Sequence, residues 1–297
     1  MAPPKVSVII PTQNRLSLLQ RAIHSVFCQT EQNFELIVVD DCSSDGTLQY
    51  LERLAGQDVR VKPILRKEAG GGSVARNCGI LASKGQWIAF LDDDDEWLSN
   101  KLELQLAKLE TTPGAVACSS SYLTRNAFGF TRMVRVPKAA NFEDLLKGSV
   151  LGGASVCICD ANALRQVDGF DASFRSGQDW DLWTRLSQIG LIVSCMEATV
   201  IYGTHSGIRI STNMDAQYKG ARHFYFKYRR FMSASLRTYK IAYLCYIMSR
   251  QSERGIRRRL NFLKLAFFNA PAGDNSKYVV SSLPRLFRDI IFRFYLC

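Results

Sequence analysis

The residues best placed to do chemistry are four consecutive carboxylates, Asp92, Asp93, Asp94 and Asp95, which follow directly on the apolar run Ile88, Ala89, Phe90, Leu91. Adjacent anions repel one another, so a fold keeps such a cluster when a cation sits among the charges or when water solvates them. Donors that are all oxygen favour Mg2+ or Mn2+, with water and substrate phosphates completing the shell. The pattern therefore predicts a metal–diphosphate site at the end of a buried strand. The competing reading is a solvated acidic turn. Further along, Asp179 and Asp181 stand two apart in a stretch with helical spacing, about 200° round the axis, so only one of them can face a given cleft.

The elements that must position these groups separate the two readings. Residues 6–10 form a short β-rich run closed by Pro11. Leu16, Leu19, Ala22, Ile23, Val26 and Phe27 recur at helical spacing. Residues 34–39 make an apolar strand ending at Asp40 and Asp41, a helix is expected over 47–54, and 59–65 offers a third strand. Gly70, Gly71 and Gly72 precede a helix ending near Ala82, and 87–91 is the fourth strand. Apolar strands alternating with helices imply parallel pairing with both sheet faces covered. Three polar loops (Thr12, Gln13, Asn14; then Asp40, Asp41; then 92–95) thus follow three parallel strands. Ligands in such sheets bind beyond the strands' carboxyl ends, so the three loops can share one ligand, a coincidence that a solvated turn does not predict. The glycines at 70–72 match neither a P-loop nor a G-x-G-x-x-G fingerprint and read as a plain turn, the alternative being a mobile loop with a helix N-terminus that approaches phosphate. Beyond the acidic run the pattern predicts a helix over 97–109, a strand over 115–120, a hairpin over 124–138, a strand over 152–158 entering a helix at 161–166, a helix over 178–186, and two short strands at 193–196 and 198–202.

Composition sets the frame. At 297 residues with 47% hydrophobic content, the chain has ample material for a packed core. Nine cysteines contain no C-x-x-C pair, which removes support for zinc ribbons and thiol redox motifs and suits a reducing cytoplasm. The N-terminal Met-Ala-Pro-Pro-Lys carries no signal-like segment, and the apolar run 241–248 is too short to span a bilayer. The net charge of +11 is uneven: residues 216–297 hold 17 Lys+Arg against 3 Asp+Glu, which leaves 21 and 24 for the rest. A basic tail implies an anionic partner.

In order along the chain, Val-Ser-Val-Ile-Ile-Pro-Thr-x-Asn (6–14), Val-Val-Asp-Asp-x-Ser-x-Asp (38–45), Ala-Arg-Asn-x-Gly (75–79), Phe-Leu-Asp-Asp-Asp-Asp (90–95) and Gln-Asp-Trp-Asp-Leu-Trp-x-Arg-Leu (178–186) resemble the family 2 inverting glycosyltransferases. The likeness covers roughly residues 5–210. It implies an α/β GT-A fold, a Rossmann-like nucleotide-binding mixed sheet flanked by helices, over 1–215, with a nucleotide-sugar half at about 1–96 and an acceptor half at about 97–215. A basic amphipathic helical extension occupies 216–297. By the resemblance, Pro11, Thr12, Gln13, Asn14 and Asp41 cradle the nucleotide base, with Asp41 accepting from a uracil N3–H. Asp93 holds the ribose, Asp94 coordinates the divalent metal (Mn2+ or Mg2+) with Asp92 in support, Asp179 is the general base, and His205 is a further metal or phosphate ligand. The implied reaction transfers a hexose or N-acetylhexosamine from a UDP-sugar donor to a glycan acceptor, polyprenyl-diphosphate-linked, in bacterial surface polysaccharide synthesis. A metal on the diphosphate stabilises the leaving group, and one carboxylate takes the acceptor's proton.

Two positions depart from the family pattern. Gln178 stands where Glu is common, and Gln13 where an aromatic often stacks on the base. The first favours an alternative reading, a nucleotide-sugar-binding scaffold without turnover. A nucleotidyltransferase ranks last, because the loop after the first strand lacks glycine. Arg76 can reach phosphate or pair with a nearby carboxylate. Asp95 is expected to cap the helix beginning near Trp97. Trp180 and Trp183 read as core or cleft wall, His24 as structural, and His223 carries no assigned chemistry. In the tail, Leu283, Leu286, Phe287, Ile290, Ile291 and Phe294 at helical spacing, with Arg285, Arg288 and Arg293 between them, suit an anionic membrane surface or a helical cap. No nucleic-acid motif accompanies the charge. The expected location is cytoplasmic, peripheral on the inner face of the cell membrane.

Overall fold

A computed structural model gives the fold and describes residues 3–125, 129, 131–203 and 213–251. Its first half alternates strand and helix: β1 (Val6–Thr12), α1 (Leu16–Phe27), β2 (Phe34–Asp40), α2 (Thr47–Gln57), β3 (Val61–Leu65), α3 (Gly72–Ala82) and β4 (Trp87–Phe90). There follow β5 (Glu96–Trp97), α4 (Lys101–Glu110), β6 (Ala115–Arg125), β7 (Thr131–Val134), β8 (Ala139–Ala140), α5 (Phe142–Lys147), β9 (Ile158–Asp160), α6 (Ala161–Gln166), α7 (Gln178–Leu186), β10 (Leu191–Tyr202), α8 (Met214–Tyr228) and α9 (Ala234–Gln251). The strands form one mixed sheet in the order β3-β2-β1-β4-β9-β6-β10-β5, with β7 on β6 and β8 on β10. β1 to β4 are parallel, and β9 runs antiparallel to both β4 and β6.

Every residue of β1 and β2 is buried, as strands covered on both faces require. Helix α3 lies so close to β1 that a Cβ on Gly79 would come within 2.5 Å of Ile9 Cγ2, so this helix can seat only with glycine there. Pro11 does not close β1 as expected. It pairs in register with Val39, and its missing N–H costs nothing because it faces the β4 side, where the ladder stops at Leu91 N to Ile9 O. Three further expectations change. Trp97 belongs to a short strand paired with Val200, so the next helix starts at Lys101. The stretch expected as a strand from 152 is a 3-10 turn, Ala154–Val156, before β9. The two final short strands are one, β10, whose register against β6 shifts between Cys195 and Ala198. The hairpin expected over 124–138 is present as the β6–β7 pair.

Helix α4 brings a fully buried lysine into the core. Lys101 Nζ donates to Gln105 Oε1 and lies 4.6 Å from the Trp97 ring centre. Burial pushes its pKa down to about 8.

The chain divides into two compact units. One comprises Met1–Leu145, Ser149–Ser173 and Gln178–Gly207, and the other Leu146–Gly148, Phe174–Gly177 and Ile208–Cys297. Within the second unit, Asn213 caps α8 by accepting from Ala216 N, His223 stacks on Phe174 at 4.2 Å, and Lys240 Nζ donates to Lys147 O. Exposed Phe226 and Phe231 lie under Arg222, Arg229 and Arg230 guanidinium groups at 4.7–5.2 Å. No helix among the described residues is long and apolar enough to cross a membrane. The helices expected from the pattern after residue 251 lie outside the described residues.

Candidate active site

The parallel register delivers the three predicted loops to one edge. Thr12 closes β1, Asp40 closes β2 opposite it, and the acidic run leaves β4 beside them. Each loop is tied to the next by side chains. Thr12 Oγ1 donates to Asp93 Oδ2 at 2.9 Å, and Arg15 Nη1 binds Asp93 Oδ1 at 3.0 Å. The same Arg15 nitrogen lies 3.7 Å from Asp94 Oδ2. Gln13 Nε2 donates to the Asp41 carbonyl at 2.8 Å. Asn14 sits at φ 53, a left-handed conformation that asparagine tolerates better than most residues. From there its side chain accepts from Ser44 N and its backbone N–H donates to Ser43 Oγ.

Asp41 is almost wholly buried, and its carboxylate accepts from Arg66 and from the backbone N–H groups of Gly70 and Gly71, the closest at 2.7 Å. The glycine turn that carried no motif in the sequence is therefore the cradle of this carboxylate. Gly71, at φ 81, holds the backbone turn that points both N–H groups inward.

The four aspartates divide. Asp93 is buried on Thr12 and Arg15, and burial raises its pKa against the pull of Arg15. Asp92 pairs with Arg76, which is buried, lies 5.3 Å from the Phe170 ring centre and leaves its Nε without a partner. Asp92, Asp179 and Asp93 together hold the Arg76 pKa up against burial. Asp95 does not cap a helix. It is buried, accepting from Ser155 Oγ at 2.6 Å and from Gly203 N at 3.0 Å, and burial beside Asp92 and Asp94 raises its pKa well above the usual carboxylate range. One oxygen from each of Asp92, Asp94 and Asp95 lies within 4.8 Å of the others. An all-oxygen set at that spacing, with a neighbour repulsion that raises a pKa, fits a hard divalent cation. Asp95 thereby joins the expected pair Asp92 and Asp94, and Ser155 ties it in through a second bond, Asp92 N to Ser155 Oγ at 3.0 Å. Gly203 leaves no room for a side chain, since a Cβ there would fall 1.7 Å from Asp94 O.

Asp179 enters from α7, in that helix's first turn, where the helix dipole favours an anion. It is half-buried, and its Oδ1 accepts from Trp180 N at 2.8 Å. Burial raises its pKa; the Trp180 N–H and Arg76 pull it down, and Asp92 pushes it up. Asp181 faces the other way, fully buried on Arg185 at 2.8 Å, as the angular argument requires. Trp183 donates to Gly152 O at 3.2 Å and Trp180 to Leu145 O at 2.6 Å, so both indoles anchor surrounding backbone. His24 is exposed against Cys28, not part of the core. His205 lies outside the described residues.

Arg15, Arg66, Ser155 and Gly203 were not singled out by sequence reasoning. Only Arg15 offered a signal, a basic residue one position past the first polar loop; the others become visible through contacts 25 to 108 residues apart.

Comparison with known proteins agrees with this geometry. The model of Glycosyl transferase family 2 matches residues 7–174. TuaG of Bacillus subtilis, assigned to teichuronic acid biosynthesis, is 30% identical over 227 residues, 76% of this chain and 88% of that protein. The Escherichia coli UDP-Glc:alpha-D-GlcNAc-diphosphoundecaprenol beta-1,3-glucosyltransferase WfaP is 28% identical over 186 residues, 63% of this chain and 71% of that protein. Three glycosyltransferases of Rickettsia are longer, and the chain spans 27–30% of each. Among solved structures, S. aureus TarS 1-349 in complex with UDP-GlcNAc superposes with a TM-score of 0.67 at 18% identity, over 93% of this chain and 83% of that one. The fold is GT-A. With its five motifs, its three-loop edge and the family match over more than half its length, the chain belongs to glycosyl transferase family 2.

Proposed function

We propose that this protein is a metal-dependent inverting hexosyltransferase that moves a sugar from a UDP-sugar onto a polyprenyl-diphosphate-linked glycan, in the synthesis of a bacterial surface polysaccharide. Residues 1–215 carry the reaction, and the basic region 216–297 meets an anionic membrane surface from the cytoplasmic side. The observation that carries this reading is the placement of Asp179: a half-buried carboxylate of raised pKa, beside an acidic cluster fit for a divalent cation. The named substrates of WfaP support the donor and the lipid-linked acceptor.

Each residue has a task that follows from its surroundings. Asp41, Gln13, Pro11, Thr12 and Asn14 line the nucleotide edge, and the Gly70 and Gly71 amides fix the Asp41 carboxylate that faces the base. Asp93 serves the ribose and is held in place by Thr12 and Arg15. Asp94, with Asp92 and Asp95, would hold the cation, which supplies Lewis-acid stabilisation of the departing diphosphate; His205 is proposed as a further ligand. Arg76 pairs with Asp92 and pulls the Asp179 pKa down, against burial and the push from Asp92. Asp179 accepts the proton of the attacking hydroxyl as the bond from that oxygen to the sugar's anomeric carbon forms on the face opposite UDP. The electrons of the breaking carbon–oxygen bond leave with UDP, and the configuration inverts.

The test is UDP release from a panel of UDP-sugars with Mn2+, Mg2+ or EDTA, on the wild type and on Asp179→Asn. Metal-dependent release that Asp179→Asn abolishes, with UDP still bound, supports the assignment. Full activity in Asp179→Asn removes Asp179 as the base. UDP binding without release from any donor in the wild type turns the reading to the non-catalytic scaffold that Gln178 hints at.

A further inference from the structure

The second compact unit carries a surface that catalysis does not use. Along α8, Gly220, Phe224 and Tyr228 form a buried stripe, each one turn past the last. A Cβ on Gly220 would come within 2.2 Å of Ser176 O, so this face is seated tightly. A side chain two places on points about 200° round the helix axis. Arg222 and Phe226 stand two places past Gly220 and Phe224, and both are exposed. The packed inner face therefore fixes what the outer face presents. The 3-10 turn Arg229–Phe231 follows directly, and all three of its residues are exposed. Beyond it Met232 and Leu236 are buried, Ser233 Oγ accepts from Leu236 N at 3.2 Å, and Arg237 Nε donates to Met232 O at 2.9 Å. The corner leading into α9 thus has a set shape.

Single exposed apolar side chains are ordinary; this corner combines two aromatic rings with unbalanced charge. Phe226 is 49% and Phe231 45% exposed. The Arg222 and Arg229 guanidinium groups each lie 5.2 Å from the Phe226 ring centre, and that of Arg230 lies 4.7 Å from Phe231. Residues 216–251 hold eight Lys+Arg and no Asp or Glu. Among the described residues none of the three guanidinium groups pairs with a carboxylate, and the nearest acid earlier in the chain, Asp215, is taken by Lys219 at 2.6 Å. In water a guanidinium resting on a ring covers its apolar face. At a lipid boundary the same pair separates by depth: the charge rises to phosphate oxygens and the ring enters the apolar layer. An anionic bilayer offers both layers, whereas a soluble anion offers only the first.

We propose that Arg222, Phe226, Arg229, Arg230 and Phe231 form a membrane-docking corner: the two rings enter the headgroup boundary of an anionic bilayer, and the three guanidinium groups bind lipid phosphates above them. The inference rests on the membrane contact in the proposed function and deepens it, placing the anchor at 222–231 and not at the basic stretch 283–294. It does not depend on the transfer chemistry.

The deciding experiment sediments the full chain with phosphatidylcholine vesicles, with and without phosphatidylglycerol, at low and high salt. Binding is expected to the anionic vesicles alone and weakens with salt, as screening of the arginines requires. Phe226→Ser with Phe231→Ser should weaken it roughly tenfold, one decade in Kd, at both salt levels. Arg222→Gln with Arg229→Gln and Arg230→Gln should weaken it at low salt and flatten the salt dependence. All five positions are exposed, and far-ultraviolet circular dichroism checks that each variant folds. Insertion itself is read from Phe226→Trp, whose emission, less that of the wild type, should shift to the blue on anionic vesicles and be quenched by brominated acyl chains. Either set of variants sedimenting like the wild type, equal binding to neutral vesicles, an unshifted and unquenched Phe226→Trp, or retention on single-stranded RNA without sedimentation overturns the proposal. Vesicle binding through this corner by a protein that releases no UDP from any donor defeats the transfer reading alone; transfer by a protein that ignores vesicles defeats the docking corner alone.

Discussion

The two halves of the site treat their carboxylates in opposite ways. On the edge formed by the parallel strands, Asp41 and Asp93 are filled by the chain itself: Asp41 takes Arg66 and two glycine amides, and Asp93 takes Thr12 and Arg15. Asp179, in the other half, accepts a hydrogen bond from its neighbour's amide and lies close against Gly153, where an added Cβ would come within 3.3 Å of its Oδ2. A carboxylate filled by fixed donors is a structural and binding element, because its proton affinity is spent on groups that do not leave. A carboxylate kept short of partners and partly desolvated has affinity left for a proton arriving from substrate.

The largest expected effect separates the two directly. Asp179→Asn should lower kcat by about 10^2- to 10^4-fold, the range for losing a general base, with UDP affinity nearly unchanged. Asp41→Asn should do the reverse: donor affinity falls and stability drops by about 1–3 kcal/mol, because Arg66 and two backbone amides lose a charged acceptor. Steady-state kinetics and denaturant melts of both variants decide whether the contrast holds; equal loss of kcat in the two would dissolve it.

Next in size is Gly203→Ala, far from both carboxylates in sequence. The added methyl would sit 1.7 Å from Asp94 O, so the Asp94 backbone must move. Metal affinity by titration calorimetry should fall about 10- to 100-fold, as for other residues that orient ligands from behind.

The pH profile gives a finer probe. Asp179 must be ionised to act, so transfer is present above its pKa and lost as pH falls through it. Burial, the largest cause of its shift, places that acid limb above the ordinary aspartate value of 3.8. Arg76→Met removes one of the influences that hold the pKa down, so the limb should move to higher pH in that variant. A limb that stays put would take Arg76 out of the electrostatics of the base.

The smallest effect serves as a control. Lys101 also owes its shift to burial, yet it lies in the closed core against Trp97 and Gln105. Its folded pKa, about 8, is below the unfolded value, so between the two the unfolded chain binds the extra proton and stability rises with pH. Wild type should gain stability relative to Lys101→Met on going from neutral pH to above the folded value, with transfer per folded molecule unchanged at any fixed pH. A displaced pKa marks chemistry only where space for a substrate adjoins it.

Much of this was legible in the chain before any coordinates. The apolar runs before Thr12, Asp40 and Asp92 could only be buried parallel strands, and that alone brings three polar loops to one edge. Helical spacing alone required Asp179 and Asp181 to part, and they do. What one dimension could not contain was the closing of distances. Gly70 and Gly71 matched no phosphate motif because their ligand is an aspartate 29 and 30 residues earlier. Asp95 looked like a helix cap because a short-range rule was applied where bonds to Ser155 and Gly203, 60 and 108 residues away, prevail. Propensity and periodicity are properties of neighbours, so sequence determined the four parallel strands of the first half, the parting of Asp179 from Asp181 and the edge that collects the loops. Which carboxylate is filled and which is left short depends on donors from distant segments, and only the packed sheet brings those donors within hydrogen-bonding reach.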